Sequence, residues 1–214
     1  MDTERHSPRY SAIDVWSPTD ILDAMIEGQF AAVAAVRAAR PALEAAVLAM
    51  EPRLRDGGRL VYAGAGTSGR LAVQDGAELM PTFSWPQDRL LLLIAGGREA
   101  LVQSVEGAED ESEQAIGLVR EHAIEARDVL IAVAASGTTP FTLACLSEAK
   151  QRGALTIGIA NNRYAHSEKR RAPGLARHRR GADRRLDPHE SRHSATDRAE
   201  LAVVIGNDPP RPGL

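Results

Sequence analysis

Four short apolar runs, separated by stretches with helical periodicity, constrain the fold of this chain more than any other feature. They cover residues 60–63, 90–95, 129–134 and 155–160, and helices are predicted over 71–80, 98–122 and 141–152. Each apolar run is too short for a buried helix, and regular strand–helix alternation is typical of a parallel sheet with helices on both faces. We therefore predict an α/β fold, a Rossmann-like three-layer sandwich.

The chain divides into three parts. Residues 1–56 form an N-terminal arm and helices, because apolar residues recur there near a period of 3.6, with Pro41 predicted to open a second helix. Residues 57–162 form the α/β domain. Residues 163–214 do not continue the pattern: between 163 and 200 only Leu175 and Leu186 are large aliphatic residues.

Composition restricts the compartment and the partners. A single cysteine, Cys145, excludes an internal disulfide and suits a reducing compartment. The apolar runs are too short to span a bilayer, and residues 1–6 do not resemble a secretory signal, so we expect a cytoplasmic protein with no membrane partner. The six histidines show no metal-ligand spacing, and we expect no metal or other cofactor.

Two loops rich in hydroxyl groups follow the first and third predicted strands. The first, residues 64–69 (GAGTSG), has Thr67 and Ser68; the second has Ser136, Thr138 and Thr139. The first loop also fits the dinucleotide pattern G-x-G-x-x-G, but no acid for a ribose follows the second strand. Paired hydroxyl loops at strand ends indicate a phosphate monoester site, the alternative being that these residues only cap helices.

At these residues the chain resembles a known family. The segments 57–71 (GGRLVYAGAGTSGRL), 94–97 (IAGG), 105–110 (VEGAED) and 134–140 (AASGTTP) are similar to the N-acetylmuramic acid 6-phosphate etherases of the sugar isomerase superfamily, and the similarity runs from about residue 3 to 162. The resemblance implies a sugar isomerase-type fold and a homodimer. It also implies a cytoplasmic lyase of cell-wall recycling that converts its sugar-phosphate substrate to N-acetylglucosamine 6-phosphate and D-lactate.

The resemblance also implies two catalytic carboxylates, Glu78 and Glu109. Elimination needs a base for the C2 proton and an acid for the departing lactate oxygen at C3. We assign the acid to Glu78 and the base to Glu109, and we expect Leu79 and Met80 to make the pocket apolar. Without the family, Glu109 could instead share a solvated helix face with Glu106 and Glu113. A sugar-phosphate-binding regulator and a sugar-phosphate isomerase are the alternative functions; a dinucleotide-dependent reductase is weaker.

The last quarter of the chain is predicted to be out of frame. Residues 163–200 have ten Arg, one Lys and six acids, a net charge of +5 against −8 for residues 1–162. Such a block can mark nucleic-acid binding or a disordered basic tail. However, codons permitted for residues 185–194 (RLDPHESRHS), read one base later, spell GSTRMKAGTA, which the family has after its fourth strand. We therefore expect a frameshift near Asn162, a disordered tail, no nucleic-acid partner, and a fourth strand without its next neighbour. Residues 201–205 (LAVVI) could form a late strand, but no helix follows them.

Overall fold

A central sheet organises the molecule. The structure, a computed structural model, describes residues 8–162 and the strand at 202–206. The strands are β1 (Leu60–Gly64), β2 (Leu90–Ile94), β3 (Val129–Val133), β4 (Leu155–Ala160) and β5 (Ala202–Gly206). Their order is β2-β1-β3-β4-β5; the first four are parallel, and β5 is antiparallel to β4.

Helices cover both faces of this sheet. They are α1 (Pro18–Arg55), α2 (Gly66–Phe83), α3 (Ser112–Glu121) and α4 (Pro140–Gln151). One core lies under α3 and α4, where Phe141 and Cys145 are fully buried. The other lies under α1 and α2, where Ala46 and Ala72 pack with Tyr62 and residues of β3 and β4. The predicted parallel α/β sandwich is confirmed.

Helix α1 is one continuous helix of 38 residues, so the prediction of two helices divided at Pro41 is wrong. Its start follows the expected rules, because the Ser17 hydroxyl accepts a hydrogen bond from the backbone N–H of Asp20 at 3.2 Å and Pro18 occupies the first turn. A proline inside a helix removes one backbone donor, and its ring crowds the carbonyl four residues earlier, at a cost of about 3 kcal/mol. The remaining hydrogen bonds and the packing of Ala35 and Ala46 keep the helix continuous through Pro41.

The segment between β2 and α3, residues 95–111, is not the helix that its spacing predicts. It has two 3₁₀ turns, Gly97–Leu101 and Ala108–Asp110, and α3 starts only at Ser112. Gly107 interrupts it, because its φ of 74° is a left-handed conformation that glycine adopts without strain and that a helix cannot include. We refer to residues 95–111 as the β2–α3 segment.

Strand β5 changes the expected edge of the sheet. It pairs with all but the first residue of β4, from Thr156 opposite Gly206 to Ala160 opposite Ala202. The expectation that β4 would lack a neighbour is therefore wrong: a later segment supplies antiparallel backbone hydrogen bonds, which a parallel neighbour is not needed to provide. The predicted out-of-frame, disordered tail covers residues 163–214, and strand β5 lies within it, so the expected disorder is wrong for 202–206. The rest of that tail, and the frameshift itself, lie outside the described residues.

A buried ion pair between Arg59 and Asp128 connects the starts of β1 and β3. The Asp128 carboxylate is fully buried and accepts hydrogen bonds from Arg59 Nη2 at 2.6 Å and from the backbone N–H of Arg59 at 2.9 Å. Burial favours the neutral acid, but these hydrogen bonds and that from the Glu125 N–H outweigh it, so the pKa of Asp128 lies below its ordinary value.

Candidate active site

The two hydroxyl loops follow adjacent strands at the point where the strand order reverses. From β1 the chain moves to β2 on one side of the sheet and later to β3 on the other. Gly64 at the end of β1 pairs with Val133 at the end of β3, so both loops leave the sheet at the same level. In open α/β sheets, ligands bind in the crevice at such a switch point.

The first loop is short because α2 begins inside it. Helix α2 starts at Gly66, so Thr67 and Ser68 lie in its first turn, and the first intrahelical hydrogen bond runs from the Gly69 N–H to the Ala65 carbonyl at 3.0 Å. The preceding N–H groups lie at the positive end of the helix and can bind an anion. A Cβ on Gly64 would come within 2.8 Å of Gly69 Cα, so this close packing requires glycine.

The second loop has an internal hydrogen-bond network. Ser136 Oγ accepts hydrogen bonds from the Thr138 backbone N–H at 3.2 Å and from Thr138 Oγ1 at 3.1 Å. Asn162, almost buried after β4, donates from Nδ2 to the Ser136 carbonyl at 3.1 Å. Sequence reasoning missed Asn162, although a polar residue directly after a strand at the same edge of the sheet was a usable signal.

Helix capping does not account for these hydroxyl groups. The residue at the N-cap of α2 is Ala65, which has no hydroxyl, and Thr139 at the N-cap of α4 makes no capping hydrogen bond through its side chain. Thr138 Oγ1 donates a hydrogen bond to Ser136 Oγ within the loop. The structure therefore shows no side-chain capping hydrogen bond at the N-cap of either α2 or α4.

Glu109 lies at the same edge of the sheet as the loops. It belongs to the 3₁₀ turn Ala108–Asp110, and its neighbour Ala108 is buried in the core that includes Phe141 of the first turn of α4. Glu109 itself is exposed. The alternative in which it shares a helix face with Glu106 and Glu113 is wrong, because no helix includes all three positions.

Glu78 lies away from the loops within one chain. It is exposed, ten residues after Ser68 on the same helix, which corresponds to about 15 Å along the helix axis. The adjacent Leu79 packs in the core, and its carbonyl accepts a hydrogen bond from the Trp85 N–H before β2 begins. Glu78 is therefore near the start of the strands, whereas the loops follow their ends. Leu79 is partly buried against the core and Met80 is 46% exposed, and the expectation that they make the pocket apolar stays a prediction.

Arg70 connects the helix of Glu78 with the segment of Glu109. Its Nε donates to the Ala100 carbonyl at 2.8 Å and its Nη2 to the Gln103 carbonyl at 3.0 Å. Sequence analysis gave Arg70 no role, since a lone arginine in the first turns of a helix is ordinarily a surface residue. The contact became visible only once α2 and the β2–α3 segment were placed side by side.

Three further features were sought in the part of the chain that the structure describes: metal-ligand clusters, membrane-spanning helices and a reactive thiol. Within residues 8–162 no cluster of three His, Cys, Asp or Glu side chains could bind a metal ion. None of the described helices is long and apolar enough to cross a bilayer. Cys145 is fully buried, and desolvation raises the pKa of its thiol to about 12, so it is not a nucleophile at neutral pH.

Comparison with known proteins gives curated relatives that are named N-acetylmuramic acid 6-phosphate etherase. The chain is 52% identical over 160 residues to the N-acetylmuramic acid 6-phosphate etherase of Deinococcus radiodurans, an alignment of 75% of this chain and 52% of the relative. It is 44% identical over 163 residues to the enzyme of the same name from Streptomyces avermitilis, covering 76% of this chain and 52% of that protein. The chain spans about half the length of the curated relatives that it matches.

The fold is also found in solved structures. A phosphoheptose isomerase from Francisella tularensis superimposes with a TM-score of 0.56 at 22% identity, covering 74% of this chain and 83% of that one, which supports the fold alone. The predicted resemblance to the N-acetylmuramic acid 6-phosphate etherases of the sugar isomerase superfamily is confirmed. A family profile described as "Glucokinase regulatory protein N-terminal SIS domain" matches residues 43–150. The chain therefore belongs to this SIS-domain family.

Proposed function

We propose that this chain is the sugar-phosphate-binding half of an etherase that cleaves the D-lactyl ether of N-acetylmuramic acid 6-phosphate. One observation supports this most directly: two hydroxyl-bearing loops flank the switch point between β1 and β3, with Glu109 at the same edge of the sheet. The curated relatives supply the identity of the substrate. We place the reaction in the cytoplasm, with no nucleic-acid or membrane partner and no cofactor.

The loops bind the 6-phosphate in this proposal. Thr67 and Ser68 offer hydroxyl groups beside the free N–H groups of α2, and Ser136, Thr138 and Thr139 offer more from the other side of the crevice. A phosphate monoester has three terminal oxygens that accept charge-assisted hydrogen bonds. Two helix N-termini at one crevice also favour a dianion.

The two carboxylates carry out elimination and then hydration. In the open-chain sugar the C1 aldehyde acidifies the C2 proton, which Glu109 removes as its carboxylate. Glu78, protonated, donates its proton to the lactate oxygen as the C3–O bond breaks, and the product is an unsaturated aldehyde plus D-lactate. Water then adds at C3 and a proton returns to C2, which restores both carboxyl groups and yields N-acetylglucosamine 6-phosphate.

The position of Glu78 favours a site that a second copy of the chain completes. A hexose 6-phosphate bound by Ser68 and Ser136 does not extend the roughly 15 Å along α2 that separate Ser68 from Glu78. We therefore propose a homodimer in which Glu78 of one subunit completes the site formed by the loops and Glu109 of the other. Closed two-fold dimers of this kind exchange the same residues in both directions.

Helix α1 presents a surface suited to such a dimer. Ala35 and Ala46 are buried and the C-terminal Met50 and Leu54 pack against the core, whereas most large apolar residues in the first half of α1 are exposed, in a stripe that follows a helical period. We define the α1 stripe as six residues that are each 49–71% exposed: Leu22, Met25, Ile26, Phe30, Val33 and Val36. A contiguous apolar patch of this size on a soluble domain marks an interaction surface.

A sugar-phosphate-binding regulator is the second candidate. The separation of Glu78 from the loops favours it, because a single chain then offers a phosphate site without two carboxylates beside the sugar. A regulator would bind sugar 6-phosphates without releasing lactate.

The test measures sugar-phosphate binding and lactate release with purified protein. The 214-residue chain and the protein from a gene with its frame restored are both titrated with N-acetylmuramic acid 6-phosphate, and D-lactate is measured with a coupled dehydrogenase. We expect Ser136→Ala to raise KM by about tenfold or more, since each charge-assisted hydrogen bond contributes about 1.5–3 kcal/mol. Ser147→Ala, an exposed serine on α4, serves as the control. Binding without lactate from either form would favour the regulator.

A further inference from the structure

The β2–α3 segment has few contacts of its own that fix its conformation. Gly96, Gly97 and Gly107 all have left-handed φ angles, and the longest helical piece is a 3₁₀ turn of five residues. Its buried apolar residues are the small Ala95, Ala100 and Ala108, and its larger Val102 is 87% exposed, so little apolar surface is buried by the middle of the segment. Segments of this kind open locally at low free energy unless specific contacts hold them.

Arg70 of α2 forms two hydrogen bonds to this segment. Its half-buried side chain donates to the carbonyls of Ala100 and Gln103, which lie in the middle of the segment. Arg70 belongs to α2 and directly follows the phosphate loop, so it moves with the elements that bind the sugar phosphate. Glu109 lies only six residues after Gln103 on the segment that Arg70 holds.

We propose that Arg70 is a positioning residue for Glu109, an inference that rests on the proposed function. The guanidinium spans two backbone carbonyls with donors in a fixed, planar arrangement, which a single ammonium group cannot reproduce. Holding the middle of the segment restricts where the turn Ala108–Asp110 places its carboxylate. A base displaced by about 1 Å loses much of its rate, because proton transfer needs hydrogen-bond distance. Arg70 touches neither the reacting atoms nor the phosphate.

Hydrogen exchange on the full chain tests the physical part of this inference. The amides of Gln103, Asp110 and Glu111 are hydrogen-bonded within the segment and report its opening. Arg70→Ala should speed their exchange by about tenfold or more, and Arg70→Lys by less, while amides of β1 and β3 are unchanged. The control is Arg98→Ala, an exposed arginine of the same segment, which should change none of them. Unchanged exchange in both Arg70 variants, or exchange that rises equally in β1 and β3, would overturn the inference.

Kinetics separate positioning from substrate binding. In the lactate-releasing enzyme, Arg70→Ala should lower kcat by about 10–100-fold with KM within about threefold of the original, because the phosphate loops are intact. Arg70→Lys should recover part of kcat. A raised KM with unchanged kcat would overturn the inference by making Arg70 a phosphate ligand. Absence of lactate release from the unsubstituted enzyme would count against the proposed function alone, since the exchange result does not require turnover.

Discussion

Thr142 has a buried hydroxyl without a hydrogen-bond partner among the residues that the structure describes. It lies in the first turn of α4, is 3% exposed, and lines a small cavity with Gly137 and Gly158. A buried hydroxyl with no partner costs about 1–3 kcal/mol, and valine has nearly the same shape without that cost. We expect Thr142→Val to raise the free energy of unfolding by about 1 kcal/mol in urea titrations. A loss of stability would instead indicate that a water molecule in the cavity bonds to the hydroxyl.

Asp128 should make stability depend on pH in the acid range. Its pKa is lower in the folded chain than the ordinary value of about 3.9, so its contribution is complete above about pH 4 and is lost as the pH falls through the folded value. Asp128→Asn places an amide group, itself a donor, against the donors of Arg59 and Glu125, and should cost about 3 kcal/mol at pH 7.

Urea unfolding of the original protein and the Asp128→Asn variant at several pH values checks this. The difference in unfolding free energy between the two should shrink steadily below about pH 4. Asp88→Asn, a substitution of an exposed aspartate before β2, serves as the control and should leave the unfolding free energy unchanged at pH 7. A difference for Asp128→Asn that stays constant down to about pH 2 would show that packing at this position, rather than the ion pair, accounts for the loss.

The residues of the site were more predictable than their arrangement. The hydroxyl loops could be placed from the sequence because small, polar residues directly followed apolar runs, and parallel strands end at one edge. The distance between Glu78 and Ser68 was also implied by their ten-residue spacing on a helix, but only once the start of α2 at Gly66 was known. The contact of Arg70 with two backbone carbonyls has no sequence signal.

At the scale of elements, the strands were predicted to within a residue and the helices less well. Strands β1 to β4 are apolar runs ended by Gly, Ala or hydroxyl residues, which define both their type and their length. Pro41 was overinterpreted, because tertiary packing of Ala35 and Ala46 outweighs one lost hydrogen bond in α1. Periodicity over 98–122 ignored Gly107, whose left-handed backbone ends any helix that reaches it.

The α1 stripe gives a prediction at this scale. Val33 is 67% exposed in the middle of the stripe, and Ala34, also exposed, points about 100° away around the helix. A buried, unpaired carboxylate at a subunit interface is strongly unfavourable. We therefore expect Val33→Asp to shift the protein to monomers in sedimentation or light scattering, whereas Ala34→Asp leaves its mass unchanged. A mass unaffected by both changes would mean that the stripe is not the dimer contact.

At the scale of the whole molecule, the candidate site lies in the part of the chain that aligns with the relatives, and the relatives are about twice as long as that part. The four parallel strands, the loops and both carboxylates lie within residues 60–160, yet the chain spans about half the length of the relatives. The predicted shift in reading frame near Asn162 would explain why the similarity to the relatives ends there. This shift could be proposed only from the codons that the sequence permits. Strand β5 lies within the segment predicted to be out of frame, yet its β-forming residues pair with β4.

Mixing two inactive variants tests whether sites are shared between subunits. In the frame-restored enzyme, Glu78→Gln removes the acid but leaves the loops intact, and Ser68→Ala combined with Ser136→Ala weakens the phosphate site but leaves Glu78 intact. If Glu78 acts on the partner's substrate, a mixed dimer has one complete site and one site with all defects. Random exchange in an equimolar mixture makes about half of the dimers mixed, so about a quarter of the original lactate release should return. If each subunit used its own Glu78, every site would retain a defect, and the mixture would release no more lactate than the separate variants do.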